Sequence, residues 1–181
     1  NGHVIDPLNH IDGKFDVALR AWDSAPQESE EERLTQKVAR VAIGIVAGET
    51  RSVQGECAAL APLLRARAQQ DPDSLSILQQ TSWVELCLGH NVEAIAAARR
   101  ATELLPLSKD FYFGVFQVEG LAEISARAGA PDEALKLLEQ MLASAAGESV
   151  TVERLKRDPL WNPLRNDPRF AALLKRFERQ D

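Results

Sequence analysis

The residues of this chain that could do chemistry are three histidines and two cysteines, and none of them stands in a recognised catalytic spacing. His3, Asp6, His10 and Asp12 offer metal-ligand side chains, but they lie in a proline-containing terminal stretch with no known ligand spacing. The sequence contains neither a nucleophile elbow nor a glycine-rich phosphate loop that ends in Lys and Ser or Thr. We therefore predict no catalytic residue, no metal site and no cofactor.

Cys57 and Cys87 both fall inside stretches with helical periodicity and match no metal-binding motif. Sparse cysteines in such positions are typical of small buried side chains in a reducing compartment. We expect two core thiols and a cytoplasmic location, with an upstream membrane anchor left open. No run of about 18 apolar residues is present that would predict a membrane span.

The net charge of −6 disfavours nucleic acid as a partner, since phosphate binding requires clustered cations. The charge is uneven along the chain. Residues 1–34 carry eight acids and three bases, whereas residues 154–181 carry eight bases and four acids. This asymmetry favours solvated helix faces, and it leaves open a homodimer formed by head-to-tail contacts that salt would weaken.

The stretch 111–116 holds four of the ten aromatic residues, in the order Phe-Tyr-Phe-Gly-Val-Phe. Aromatic side chains are enriched in both cores and interface hot spots. We expect at least two of these rings to fill a gap between helices, and an exposed binding patch is the alternative. Trp83 has the same two interpretations, as a binding anchor or as packing between helices.

The elements that must position these residues are helices, because Ala, Leu, Glu, Arg and Gln are abundant and Gly and Pro are few. Apolar periodicity and Gly or Pro punctuation predict helices over 15–22, about 30–47, 52–70, 75–88, 92–105, 111–128, 131–145, 151–156 and 168–179. Gly13, Gly55, Gly89 and Gly129 each precede a helical run by five residues, at intervals of 42, 34 and 40. An interval of 34 is the tetratricopeptide period, so the sequence predicts stacked helix pairs.

Two antiparallel helices approach closely where both carry small side chains at their crossing. Ser82 with Ala94, and Ala122 with Ala134, occupy the predicted crossings of the two clearest pairs. In an earlier pair we expect Gly48 to make room for Leu60. Glu85 and Ser125 stand where a large apolar residue is usual.

The chain resembles tetratricopeptide repeats most clearly over residues 88–95 and 129–135, which read LGHNVEAI and GAPDEAL. A closer resemblance covers about 75–178. It rests on ELLPLSKD at 103–110, LAEI at 121–124, LKRDPLWNPLRNDPRF at 155–170 and Leu173-Leu174. This ending is similar to the C-terminus of bacterial serine/threonine kinases, winged-helix regulators and nucleotide cyclases that carry such repeats. The resemblance implies an effector domain upstream of Asn1, where any catalytic activity would lie.

Together these features predict an all-α solenoid of about three tetratricopeptide-like helix pairs with a C-terminal capping helix. Residues 1–30 would form a loop and a short helix, as a half repeat or a linker. Residues 31–150 would form the pairs, and residues 151–181 the cap, with Trp161 and Phe170 covering the last repeat's apolar face.

The resemblance also implies a concave groove that binds a peptide or the protein's own effector domain. The groove positions that hold a carboxylate in some tetratricopeptide domains lack a cation here, which favours a basic or apolar ligand. The alternative is a small-molecule sensor with an enclosed aromatic pocket. The predicted partner-binding residues are Gln79, Trp83, Phe111, Tyr112, Phe116, Glu119 and Glu123.

Overall fold

A computed structural model describes residues 15–24, 26, 28–144 and 150–178, and all regular structure within these residues is helical. The predicted all-α class is confirmed. Residues 1–14, including the possible metal ligands and Gly13, lie outside the described residues. The helices are α1 (Phe15–Asp23), α2 (Glu30–Val46), α3 (Thr50–Gln70), α4 (Leu75–Cys87), α5 (Asn91–Leu104), α6 (Phe111–Arg127), α7 (Pro131–Ala143), α8 (Val152–Arg157), a 3₁₀ helix (Pro159–Leu164) and α9 (Pro168–Phe177).

Side chains that cap the backbone explain where several helices begin. Ser29 and Glu32 form a reciprocal capping box at α2, and the backbone N–H groups of Ser29 and Glu28 lower the pKa of Glu32. Asp158 and Asp167 are each followed by proline. The Asp158 carboxylate accepts a hydrogen bond from the backbone N–H of Leu160 at the start of the 3₁₀ helix, and the Asp167 carboxylate accepts one from the backbone N–H of Arg169 at the start of α9. The starts of these three helices therefore follow from local sequence.

The turns between paired helices contain Gly48, Gly89 and Gly129, each with φ near +81°. Glycine is favoured in this left-handed conformation because it has no Cβ. Gly55, predicted to mark a repeat turn, instead lies inside α3, so that prediction is wrong. The turn glycines are 41 and 40 residues apart, and the interval of 34 does not separate two turns.

The lengths of particular helices and loops explain why the intervals between turn glycines exceed the 34 residues expected from the sequence. Helix α3 has 21 residues and α5 has 14, which accounts for the longer first interval. In the second interval α6 has 17 residues where α4 has 13, and the preceding loop 105–110 is two residues longer than loop 71–74. The additional residues of α6 form a first turn that carries the predicted aromatic stretch.

Helices α2 and α3 lie close together at Gly44 and Val53. A Cβ on Gly44 would lie 2.7 Å from Cγ1 of Val53. Gly48 is the glycine predicted to make room for Leu60, but a Cβ placed on it would have no neighbouring atom within 4 Å. The prediction for Gly48 is therefore wrong: Gly44 permits the close approach, and Gly48 serves the turn.

We expect Gly44→Ala to lower the free energy of unfolding by about 1 to 2 kcal/mol, because the new methyl group overpacks against the stiff, β-branched Val53. Gly55→Ala, also inside a helix but in open space, should raise it by about 0.5 to 1 kcal/mol through helix propensity. Urea unfolding of both variants measures the difference. Equal effects of the two substitutions would contradict the close approach, and Val53→Ala should rescue Gly44→Ala.

The paired helices pack against each other, and the small residues that they carry are buried. Ser82, Ala94, Ala122 and Ala134 are all buried, as predicted for the crossings of α4 with α5 and of α6 with α7. Helix α4 also contacts both α2 and α6. Helix α1 packs on α2, the 3₁₀ helix packs on α6, and α9 packs on α7.

A disulfide bond joins Cys57 of α3 to Cys87 of α4, with the two Cα atoms 6.3 Å apart. Both residues are buried, at 0% and 4% exposure, so their predicted place in the core is confirmed. The expectation of two separate thiols is wrong. The spacing of 30 residues gave no sign of the bond, since helix packing, and not sequence proximity, brings the sulfur atoms together.

Candidate functional site

Three aromatic side chains form an exposed patch at the start of α6. Tyr112, Phe113 and Phe116, hereafter the aromatic patch, are 69%, 55% and 43% exposed. The Tyr112 ring lies edge-to-face with both phenylalanines, at centroid distances of 5.1 Å from Phe113 and 5.9 Å from Phe116. This geometry is the preferred one for aromatic pairs, so the rings support one another while they remain open to solvent.

The expectation that at least two of the four rings fill a gap between helices is wrong. The side chain of Phe111 lies outside the described residues, and the other three are exposed. Gly114 explains the arrangement: a Cβ there would come within 3.0 Å of the backbone of Pro106 and Leu107. The loop before α6 thus packs directly on the helix backbone and needs no ring to fill the space.

Gln79 and Trp83, two predicted partner-binding residues, lie on α4. Gln79 is exposed, and its Nε2 donates to Oε1 of Gln117 at 3.0 Å, which links α4 to α6. Trp83 is half-buried and packs against both apolar clusters of the chain. Its position therefore favours packing between helices over a free binding anchor.

Glu119 and Glu123, the acidic members of the predicted site, are only 6% and 7% exposed. A guanidinium nitrogen of Arg154 in α8 lies 2.9 Å from Oε1 of Glu119. Arg154 also lies 3.4 Å from the buried carboxylate of Asp158. This part of α6 is therefore covered by the chain's own C-terminal segment, residues 150–178.

Arg127, at the end of α6, forms side-chain hydrogen bonds to the backbone of the same C-terminal segment. Its Nη2 donates to the carbonyl oxygens of Pro159 and Leu160, at 3.3 and 3.0 Å. Burial lowers the pKa of Arg127, and the nearby charges of Glu123 and Asp158 oppose that effect. The indole of Trp161 is fully buried beside this network and belongs to the apolar cluster that includes Leu155 and Leu164.

A further buried carboxylate, Glu85, links α4 to its neighbours. Its Oε2 lies 2.6 Å from Nδ1 of His90, and its Oε1 lies 3.2 Å from a guanidinium nitrogen of Arg65. Ser125, the equivalent small residue of α6, contacts Glu133 at 3.4 Å. The polar residues that replace large apolar ones are thus paired, which accounts for their place in the core.

Ion pairs within the chain neutralise much of the basic C-terminal segment. Arg176 binds Glu139 at 2.6 Å and stacks over Phe177, and Lys156 binds Glu153 and Glu178. Arg169 binds Asp167 and Asp132, and these hydrogen bonds raise the pKa of Arg169. These contacts do not favour a head-to-tail dimer that relies on free basic side chains.

In the part of the chain that the structure describes, no helix is both long and apolar enough to cross a membrane. The same residues contain no group of three or more His, Cys, Asp or Glu side chains arranged to hold a metal ion. A depression between α7 and α9 is lined largely by charged side chains, and none of the predicted aromatic residues lines it. Comparison with protein-family models, with curated proteins and with solved structures gives no match to this chain.

Proposed function

We propose that this chain is a non-catalytic interaction module, built as a tetratricopeptide-like helical repeat, that binds a basic and apolar protein segment at the aromatic patch. The observation that carries the proposal is the exposure of Tyr112, Phe113 and Phe116 in the first two turns of α6. Exposed aromatic clusters of this kind are typical of interface hot spots. The role as part of a larger bacterial signalling protein is proposed from the resemblance alone.

The charge around the aromatic patch favours a cationic partner. Arg100 of α5 binds Asp73 in the loop before α4 and Glu103 of α5, and the hydrogen bond between Gln79 and Gln117 joins the first halves of α4 and α6. The described residues at this end of the two helices include four carboxylates and two cations: Asp71, Asp73, Glu103 and Asp110, with Arg100 and Lys109. Arg and Lys side chains also bind aromatic faces through cation–π interactions.

The C-terminal segment supplies an intramolecular example of such binding. Tyr112, Phe116, Glu119 and Glu123 follow one another at three- and four-residue steps, so they lie along one stripe of α6. The second half of this stripe binds Arg154, while α8 and the 3₁₀ helix bury apolar side chains beside it. A partner with the same mixture of arginine and apolar residues suits the open half.

We expect Phe113→Ser/Phe116→Ser to weaken binding of an arginine–leucine peptide about tenfold or more, because hot-spot rings contribute at least 1 to 2 kcal/mol each. The melting temperature should change little, since both rings are exposed. Fluorescence anisotropy with a labelled peptide measures the affinity, and NMR shifts of the amides at 112–117 locate the contact.

Val92→Ser provides the matched control, because Val92 is an exposed apolar residue on α5, away from the aromatic patch. A peptide with glutamate in place of arginine should bind weakly to every variant. Binding that survives loss of both rings would contradict the proposed site. Stabilisation by small aromatic compounds without any peptide binding would favour a sensor instead.

A further inference from the structure

The disulfide bond between Cys57 and Cys87 joins two different helix pairs. Cys57 lies in the first half of α3, and Cys87 is the last residue of α4. These are the only cysteines of the chain, so no other pairing within the chain competes with this bond. The bond thus links the α2–α3 pair covalently to the α4–α5 pair.

The surroundings of the bond indicate a structural role. Both half-cystines belong to a buried apolar cluster with Leu60, Leu64 and Val84. Redox-active cysteines lie in partly exposed, electropositive sites, often within a Cys-X-X-Cys motif. Here both cysteines are buried and they lie 30 residues apart in the sequence. A reductant therefore reaches the sulfur atoms only when α3 and α4 separate.

We propose that the bond forms as the chain folds in the cell, and that this domain therefore lies in an oxidising compartment, in the cell envelope or outside the cell. Stable structural disulfides are rare where glutathione and thioredoxin keep thiols reduced. The two thiols lose two protons and two electrons as the S–S bond forms. The oxidant is the disulfide of a thiol–disulfide oxidoreductase, which is reduced to a dithiol.

This inference replaces the cytoplasmic location expected from the sequence, and it stands apart from the proposed binding of a peptide. If the aromatic patch does bind a protein, the inference restricts the search to partners in the same compartment. An effector domain in the cytoplasm would then need to be connected across a membrane.

The redox state can be trapped in cells that make the protein naturally. Acid quenching followed by a first alkylating reagent labels free thiols, and reduction followed by a heavier reagent labels cysteines that were oxidised. Mass spectrometry of the peptides is expected to show the heavier label on both Cys57 and Cys87. The first label on both residues would overturn the inference.

A second measurement tests the compartment directly. An amine reagent that cannot cross the plasma membrane should label the exposed Lys37 and Lys109 in intact cells as fully as in lysed cells. Labelling that requires lysis would overturn the proposed location even if the bond were present. A Cys57→Ala/Cys87→Ala variant, carried through the thiol protocol, gives the background of each label.

Discussion

Replacing Arg154 with methionine is expected to lower the free energy of unfolding by about 3 to 5 kcal/mol, the range for removing one partner of a buried ion pair. Glu119 is 7% exposed in its side chain, and Arg154 is 18% exposed. Without the guanidinium, the Glu119 carboxylate loses this ion pair while it stays buried. Urea unfolding followed by tryptophan fluorescence measures the loss.

The double variant Arg154→Met/Glu119→Leu separates the charge from the packing. Because it removes both charges and keeps apolar volume, it should recover at least half of the lost stability. Arg40→Met is the matched control, since Arg40 and Asp23 form a half-exposed pair whose loss should leave the unfolding curve nearly unchanged. If Arg154→Met unfolds like Arg40→Met, the C-terminal segment is not held through α6 as described.

Loss of the Cys57–Cys87 bond is expected to lower the free energy of unfolding by about 3 to 4 kcal/mol. The loop-closure model gives this figure for cysteines 30 residues apart. Reduction of the native chain keeps the sulfur atoms and removes only the cross-link, so it is the cleaner test. The Cys57→Ala/Cys87→Ala variant should lose at least as much, because it also loses packing in the core.

Reductant added to the Cys57→Ala/Cys87→Ala variant should have no effect, which controls for the reagent itself. The free thiols of the reduced native chain must be confirmed by alkylation before unfolding. An unchanged unfolding midpoint for that confirmed dithiol form would show that α3 and α4 are held together without the covalent bond.

Helix positions were predictable from the sequence because their signals are local. Asp110, Asp158 and Asp167 cap the helices that follow them, and Gly89 and Gly129 end the helices before them. The short 3₁₀ helix between the two Asp-Pro steps was not predicted, since Pro159 and Pro163 read as breaks in an α-helical pattern. The prediction of a repeat turn at Gly55 was wrong because the sequence alone does not distinguish an exposed glycine inside a long helix from a glycine in a turn.

The candidate site was predictable only in part, because its contacts join residues far apart in the chain. Helical spacing placed Phe116, Glu119 and Glu123 on one stripe of α6, but it did not reveal that Arg154 covers one half. Nor could spacing show that the loop backbone at Pro106 and Leu107 packs directly on Gly114. This packing leaves the rings of the aromatic patch exposed to solvent. Composition likewise suggested separate thiols, because two cysteines without a motif carry no sign of pairing.

The covering of α6 by the C-terminal segment also sets an order of events during synthesis. Residues 150–178 leave the ribosome after α6 and α7, so a nascent chain that already holds Glu119, Glu123 and Arg127 still lacks Arg154 and Trp161. The α6–α7 pair cannot complete its core at that stage, and its apolar face remains open to chaperones. This end of the molecule therefore completes its core only after residue 178 has left the ribosome.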